Sequence, residues 1–235
     1  MRRILGPLTV AAVVAGGGVA LAAHGTVTRQ RAPAVAAAIS LSYLPVPSSS
    51  TTDDLRHPIT PDHIGAALGQ CLGAGTNNRA LAEVVSPTFI VFSPRYVMAA
   101  STVAIQPSQG QVANDLTAIS SPKALGCLKR HASSAIRSSF TDPVCGGPTA
   151  ALFSLTAVKI PSLVSGSDGT FAYRFRFVTG CKHGLTYLAY ADYVGFAWGQ
   201  AEVTLTVETN NQPPPGALER QLAALLFSHA RRAIN

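Results

Sequence analysis

Residues 169–179, Gly-Thr-Phe-Ala-Tyr-Arg-Phe-Arg-Phe-Val-Thr, alternate aromatic side chains with smaller or polar ones at a period of two. Successive side chains of a β-strand point to opposite faces of its sheet. The stretch therefore predicts a strand with one aromatic face in a core and one face that carries Arg174 and Arg176. The aromatic face consists of Phe171, Tyr173, Phe175 and Phe177.

Three further stretches predict that this strand belongs to an antiparallel meander. Residues 150–159, 185–194 and 200–208 are strand-like, and short turns that contain glycine separate them. The last stretch alternates apolar residues with Glu202, Thr204, Thr206 and Glu208. We therefore expect helices on one face of the sheet and a wet or cleft-lining polar face on the other.

Helical signals lie on both sides of the meander. Thr60-Pro61 and Ser121-Pro122 each combine a favourable N-cap with proline at the first helical position. The apolar stripes that follow them carry Cys71 and Cys127. The order of elements predicts an α+β fold with a mainly antiparallel sheet. The remaining predicted elements are helices at 109–119 and 216–232 and strands at 82–92 and 100–106.

The N-terminus has the pattern of an export signal. A basic Met1-Arg2-Arg3 precedes the apolar stretch Ile4 to Leu21, and Ala20-Leu21-Ala22 forms a small-x-small cleavage site. Residues 1–23 are therefore predicted to be a signal peptide or an N-terminal anchor, with membrane contact only through residues 4–21 if the signal is uncleaved. The chain is expected to be secreted or extracytoplasmic.

The composition of the next segment predicts a linker. Residues 24–59 are rich in Ala, Pro, Ser and Thr. The remainder, residues 60–235, is predicted to be a single α+β domain.

Four cysteines in an exported chain favour two disulfides. Cys71, Cys127, Cys145 and Cys181 allow three pairings. We prefer Cys71 with Cys127 and Cys145 with Cys181, and the other two pairings stay open. The sequence has no C-x-x-C pair, so zinc-ribbon and redox-motif sites are not favoured.

The charge composition argues against a nucleic-acid partner. Only 12% of residues are charged, against a usual share of about 25%, and the Lys and Arg residues that give the formal net charge of +7 are scattered. A positive excess outside a cell is also compatible with anionic lipid or wall polymer.

The sequence lacks the G-x-S-x-G, H-E-x-x-H and P-loop patterns of common hydrolases and nucleotide-binding proteins. No catalytic residue, metal ligand or cofactor is predicted. The candidate ligand-binding residues on polar strand faces are Arg174, Arg176, Tyr190, Asp192 and Glu202, because arginine holds carboxylate or phosphate in two bonds. Ordinary cross-strand ion pairing is the alternative explanation for these charges.

Three features together resemble a known group of proteins. They are the helix from Ser121-Pro122 to Cys127-Leu128, the strand that ends near Trp198-Gly-Gln200 and the closing helix between Pro213 and Arg232. They are similar to exported sensor-like domains of actinobacteria, including the extracellular sensor domain of mycobacterial serine/threonine kinases and related lipoproteins. The resemblance covers residues 60–233. It implies an antiparallel sheet packed with helices, two disulfides and a groove for an unidentified ligand. Two features depart from it, since no kinase precedes the segment in this sequence and no lipid-accepting cysteine follows the signal.

These observations lead us to expect a non-enzymatic, secreted or envelope-tethered ligand-binding domain. Its partner is expected to be an unknown small molecule, a lipid or a cell-wall component. The alternatives are an envelope hydrolase or transferase with a non-local active site, and a protein-interaction module that uses an exposed sheet edge.

Overall fold

The computed structural model describes residues 24–45, 50–51, 57–58, 70–73, 80–92, 95–139, 150–181, 184 and 186–235. The helices are α1 (Ala32–Ile39), α2 (Gln109–Ser120), α3 (Ala124–Ser139) and α4 (Gly216–Ile234), and residues 70–72 are also helical. The strands are β1 (Ser50–Thr51), β2 (His57–Pro58), β3 (Ala82–Val85), β4 (Phe89–Val91), β5 (Val97–Ile105), β6 (Ala150–Lys159), β7 (Gly169–Cys181), β8 (Thr186–Trp198) and β9 (Ala201–Asn210).

Within the described ranges, these nine strands form one antiparallel sheet. Its main order is β1-β4-β5-β9-β8-β7-β6. β3 and β4 both pair with the same edge of β5, and β2 pairs with β3. The predicted α+β class and the antiparallel meander β6 to β9 are thus confirmed.

The sheet carries helices on both faces, which corrects the prediction of helices on one face. On one side α1 and α4 cover Val203, Leu205 and Val207 of β9. On the other side α2, α3 and the helical residues 70–72 cover the aromatic row of β7, which consists of Phe171, Tyr173, Phe175 and Phe177.

The pairing register explains the two covered faces. Phe175 lies opposite Ala191 of β8, and Ala191 lies opposite Glu208 of β9. The aromatic row of β7 and the polar row of β9 therefore share a face. Since side chains alternate along each strand, the polar row of β7, with Arg174, shares the other face with Val207.

Residues 24–45 are part of the core, which corrects the predicted linker in that range. Val27, Val35 and Ile39 are buried with the α1 and α4 cluster. Pro33 lies in the first turn of α1, where its missing N–H does no harm. The helix that follows it buries an apolar stripe, while residues 46–49, 52–56 and 59 lie outside the described ranges.

A disulfide joins Cys71 to Cys127, with Cα atoms 5.8 Å apart, and confirms the first preferred pairing. The second pairing was predicted with Cys145, which lies outside the described residues. No described cysteine is a free thiol. A structural disulfide indicates an oxidising, extracytoplasmic location.

The helices at 109–119, after Pro122 and after Pro215 match their predictions closely. The helix start predicted at Thr60 falls on residues that are not described. In the described part of the chain, no helix has the length and apolar character needed to span a membrane.

Candidate functional site

Two acidic side chains lie in one row across three neighbouring strands, on the face covered by α2. Glu83 of β3 lies opposite Ala104 of β5, and Ala104 lies opposite Glu202 of β9. Two residues away along the same strands, Thr102 lies opposite Thr204. This face was predicted to be wet or to line a cleft; α2 covers it, so its acidic side chains are half-buried or buried.

Helix α2 adds a third acid to this row. Ser108 caps the helix by accepting a hydrogen bond from the backbone N–H of Gln111. Asp115 lies one turn further on and is 1% exposed. The Gln111 side-chain amide donates to Asp115 Oδ1 at 2.7 Å and holds the carboxyl group over the sheet.

A glutamine network fixes the other side of the cluster. Gln106 Nε2 donates to Glu202 Oε2 at 2.7 Å. Gln200 Nε2 donates to the carbonyl of Gln106 at 2.8 Å, and Gln200 Oε1 accepts from the N–H of Val27 at 2.7 Å. The buried Gln200 therefore ties the N-terminal segment to the strand ends that position the acids.

The Asp115 and Glu202 carboxyl groups interact electrostatically. Burial, followed by the Asp115 charge and hydrogen bond, raises the pKa of Glu202 well above its ordinary value, and the charge of Glu83 acts in the same direction. Glu202 therefore holds its proton more tightly than an exposed glutamic acid does.

A small, partly open cavity lies at this cluster, between α2 and the sheet. The space open to the centres of water molecules is about 20 Å³, which is enough for about one water. The cavity therefore admits a single amino or hydroxyl group rather than a whole small molecule. Its lining residues are Glu83, Thr102, Ala104, Asp115, Leu116, Ile119, Phe171, Phe196, Glu202 and Thr204.

Four of the five residues predicted to bind a ligand share the opposite face of the sheet. Arg174 lies opposite Asp192, and Arg176 lies opposite Tyr190. Arg174 Nε donates to Asp192 Oδ1 at 2.7 Å, and Arg174 Nη2 donates to the other oxygen. Asp192 is fully buried, Tyr190 is half-buried and Arg176 is exposed. Glu202 is separated from these residues by the thickness of the sheet.

Helix α4 contributes an acid to the Arg174 and Asp192 pair that sequence reasoning missed. Glu219 is 2% exposed, and its Oε2 lies 3.9 Å from Arg174 Nη2. Burial, the hydrogen bond to Asp192 and the Asp192 charge raise the pKa of Glu219 to about 8. Arg174 pairs with Asp192, and the raised pKa of Glu219 favours its neutral form near neutral pH, so these groups form a buried structural network.

Asp115 and Glu219 share a sequence signal that could have identified them. Asp115 occupies the buried stripe of α2 together with Val112, Ala118 and Ile119. Glu219 occupies the buried stripe of α4 with Leu222, Ala223 and Leu226. A carboxylate at a stripe position is seldom fully buried unless it is paired.

Trp198, the only tryptophan of the chain, lies at one edge of the core. The Trp198 ring lies 4.1 Å from the His24 ring and 5.3 Å from the Phe227 ring, measured between centroids. The half-buried ring therefore anchors the edge of the core.

Across the described residues, no group of three or more His, Cys, Asp or Glu side chains is arranged to hold a metal ion. In comparisons with known protein families, curated proteins and solved structures, nothing matched the chain. The resemblance to actinobacterial sensor domains therefore stays a prediction.

Proposed function

We propose that this chain is a non-enzymatic ligand-binding domain of the cell envelope, and that the cavity between α2 and the sheet receives an amino or hydroxyl group of its ligand. The observation that carries the proposal is a cavity that is only large enough for one such group and that is lined by the carboxyl groups of Glu83, Asp115 and Glu202.

The polar groups of the cavity are mainly hydrogen-bond acceptors. Glu83, Asp115 and Glu202 provide carboxyl oxygens, and the hydroxyl groups of Thr102 and Thr204 can also accept. A wall fragment with hydroxyl and amino groups can supply the matching donors. A hydrocarbon chain leaves these buried acceptors without partners, at a cost of about 1–3 kcal/mol for each group. The chemistry therefore favours a wall fragment over a lipid.

The proposed setting is outside the cytoplasmic membrane. Residues 1–23 act as the signal peptide or anchor, and the Cys71 to Cys127 disulfide is compatible with that compartment. The sensor-like role follows only from the sequence resemblance and is part of this proposal.

Two neighbouring carboxyl groups also raise the alternative of a hydrolase, but the geometry of this pair argues against a glycosidase. Glycosidases place their two carboxyl groups about 5–9.5 Å apart so that a sugar bond or a water fits between them. The cavity at Asp115 and Glu202 instead holds about one water. The pair has no room for a substrate bond unless α2 moves.

An interaction module that adds a strand is supported by the edge strand β6, where Phe153 and Val158 are 48% and 52% exposed. The register of β6 shifts between Leu152 and Ser154. A bulge of this kind is a common protection of an edge against such pairing. The ligand-binding proposal is therefore preferred.

Titration with glucosamine and with N-acetylglucosamine, followed by NMR shifts of backbone amides, tests the proposal. We expect glucosamine to shift residues of α2 and β9, because its ammonium group donates to the acid pair. Asp115→Asn and Glu202→Gln should each weaken binding about tenfold or more, since a hydrogen bond to a charged group contributes about 1.5–3 kcal/mol.

The matched control is Glu208→Gln, which changes a buried acid on the same face of β9 without touching the cavity. Binding should persist in this variant. Affinity for glucosamine should also rise with pH as long as its amino group stays protonated, since ionisation of the acid pair favours the bound ammonium. An absence of shifts with both sugars, or equal losses in all three variants, contradicts the proposal.

A further inference from the structure

The described part of the chain separates its charges between interior and surface. It contains seven of the eleven carboxylates, and each of the seven is buried or half-buried. Ten basic side chains of the same part are exposed. They are Arg29, Arg31, Lys123, Lys129, Arg130, Lys159, Arg176, Arg220, Arg231 and Arg232. The described surface is therefore cationic, with no exposed Asp or Glu side chain to offset it.

Some of these cations lie where the two ends of the fold meet. His24 hydrogen-bonds to Asp168 at 3.0 Å, and its ring contacts Trp198. A Cβ added at Gly25 would lie only 2.5 Å from the Ile234 carbonyl oxygen, so the backbone of the first described residues passes directly by the end of α4. We call this region the terminal corner, defined by His24, Gly25, Trp198 and Ile234.

Four exposed arginines lie on the segments that meet at the terminal corner. The Arg231 guanidinium lies over the Trp198 ring, 5.9 Å from its centroid, and Arg232 follows it in the last turn of α4. Arg29 and Arg31 are exposed on the segment that leads from the corner to α1.

The terminal corner is also the part of the fold closest in sequence to the apolar N-terminal stretch. Leu21 precedes His24 by three positions. Three residues span at most about 11 Å, at about 3.6 Å per residue. Because residues 24–45 are folded rather than a linker, a retained N-terminal anchor would hold this corner at the membrane surface.

We propose that in the chain that retains residues 4–21 the terminal corner docks on anionic lipid headgroups through its arginines. Basic residues beside an anchoring segment add electrostatic attraction to an anionic bilayer. A wall polymer matches the charge equally well, but it does not explain why the arginines lie next to the apolar segment. The interaction is independent of the acid-pair cavity and goes beyond the proposed function.

Trp198 provides a reporter at the corner, because it is the only tryptophan of the chain. The full chain is reconstituted in vesicles of phosphatidylcholine, with and without phosphatidylglycerol, that contain a lipid spin-labelled near its headgroup. We expect phosphatidylglycerol to increase the quenching of Trp198 fluorescence, and added salt to reverse the increase.

Two variants that each remove two exposed positive charges separate a specific corner from general attraction. Arg31→Gln with Arg232→Gln leaves the contact between Arg231 and the reporter intact. This variant should weaken docking about 30-fold, the change expected for two basic residues at an anionic surface. Lys123→Gln with Lys129→Gln alters the helix on the other face of the sheet and should keep the increase in quenching.

Equal quenching in both kinds of vesicle overturns the proposal, as does an equal loss in the two variants. Polyphosphate serves as the polymer probe. If it binds the chain more tightly than phosphatidylglycerol vesicles do, and that binding depends on Arg31 and Arg232, the corner serves a wall polymer and the lipid proposal is wrong. Unchanged thermal unfolding of both variants shows that the fold is retained.

Discussion

Glu208→Gln should change how the stability of this protein depends on pH. Glu208 is 6% exposed on β9, between Met98 of β5 and Ala191 of β8. Burial raises its pKa from the ordinary value of 4.5 to about 8. Gln has nearly the same shape as protonated Glu but cannot ionise, so the substitution removes the titration and little else.

The direction of this pH dependence follows from proton binding. The folded state holds the Glu208 proton more tightly than the unfolded state, so the stability linked to this group is complete below pH 4.5 and is lost as the pH rises to about 8. A difference of this size corresponds to about 5 kcal/mol, at about 1.36 kcal/mol per pH unit. Structural relaxation around an ionised Glu208 makes this value an upper limit.

Urea unfolding at a series of pH values from 5 to 9 measures the effect. The native chain and Glu208→Gln should have similar free energies of unfolding at pH 5, and the variant should be more stable by several kcal/mol at pH 9. Lys129→Gln, an exposed change on α3, should follow the native profile. Parallel profiles for Glu208→Gln and the native chain would refute the argument, because they would show that Glu208 titrates alike in both states.

Three further substitutions test the packing. Ile39→Ala should lower the free energy of unfolding by about 2–5 kcal/mol, because Ile39 is fully buried. A loss below about 0.5 kcal/mol in thermal or urea unfolding, as for a surface site, would restore the linker interpretation. Gly195→Ala should destabilise the fold by about 1–3 kcal/mol, since its new Cβ would overlap the Phe171 ring. Gly126→Ala on α3, with open space at its Cβ, should stabilise the fold by about 0.5–1 kcal/mol. The reverse order of melting temperatures would contradict the close contact between Gly195 of β8 and Phe171 of β7.

The sequence predicted each strand of the meander, because the alternation in residues 169–179 and 201–208 is a property of one strand at a time. The faces could not be predicted in the same way. A shift of one residue in pairing moves all side chains of a strand to the other face. Which side chains share a face therefore depends on the pairing of Phe175 with Ala191 and of Ala191 with Glu208. This is why one polar face was expected where the sheet has two covered faces.

The candidate site was predictable only in part. The alternation identified Glu202 as a polar strand residue, but its partner Asp115 lies 87 positions earlier on a helix. No local spacing relates the two, since their contact depends on how α2 crosses the sheet. Arg174 and Asp192 were easier to connect, because adjacent strands of a hairpin bring them directly opposite each other.

The packing of α1 against α4 has a consequence for the order of folding. Val35 and Ile39 of α1 belong to the same buried cluster as Leu222 and Leu226 of α4. A chain is synthesised from its N-terminus at about 5–20 residues per second, so the apolar side of α1 has no partner on α4 until almost the whole chain has been made. The contact between α1 and α4 therefore forms only after residues 216–234 have been made, and a chain truncated before Gly216 would leave the side of α1 that faces α4 uncovered, as a site for chaperones and proteases.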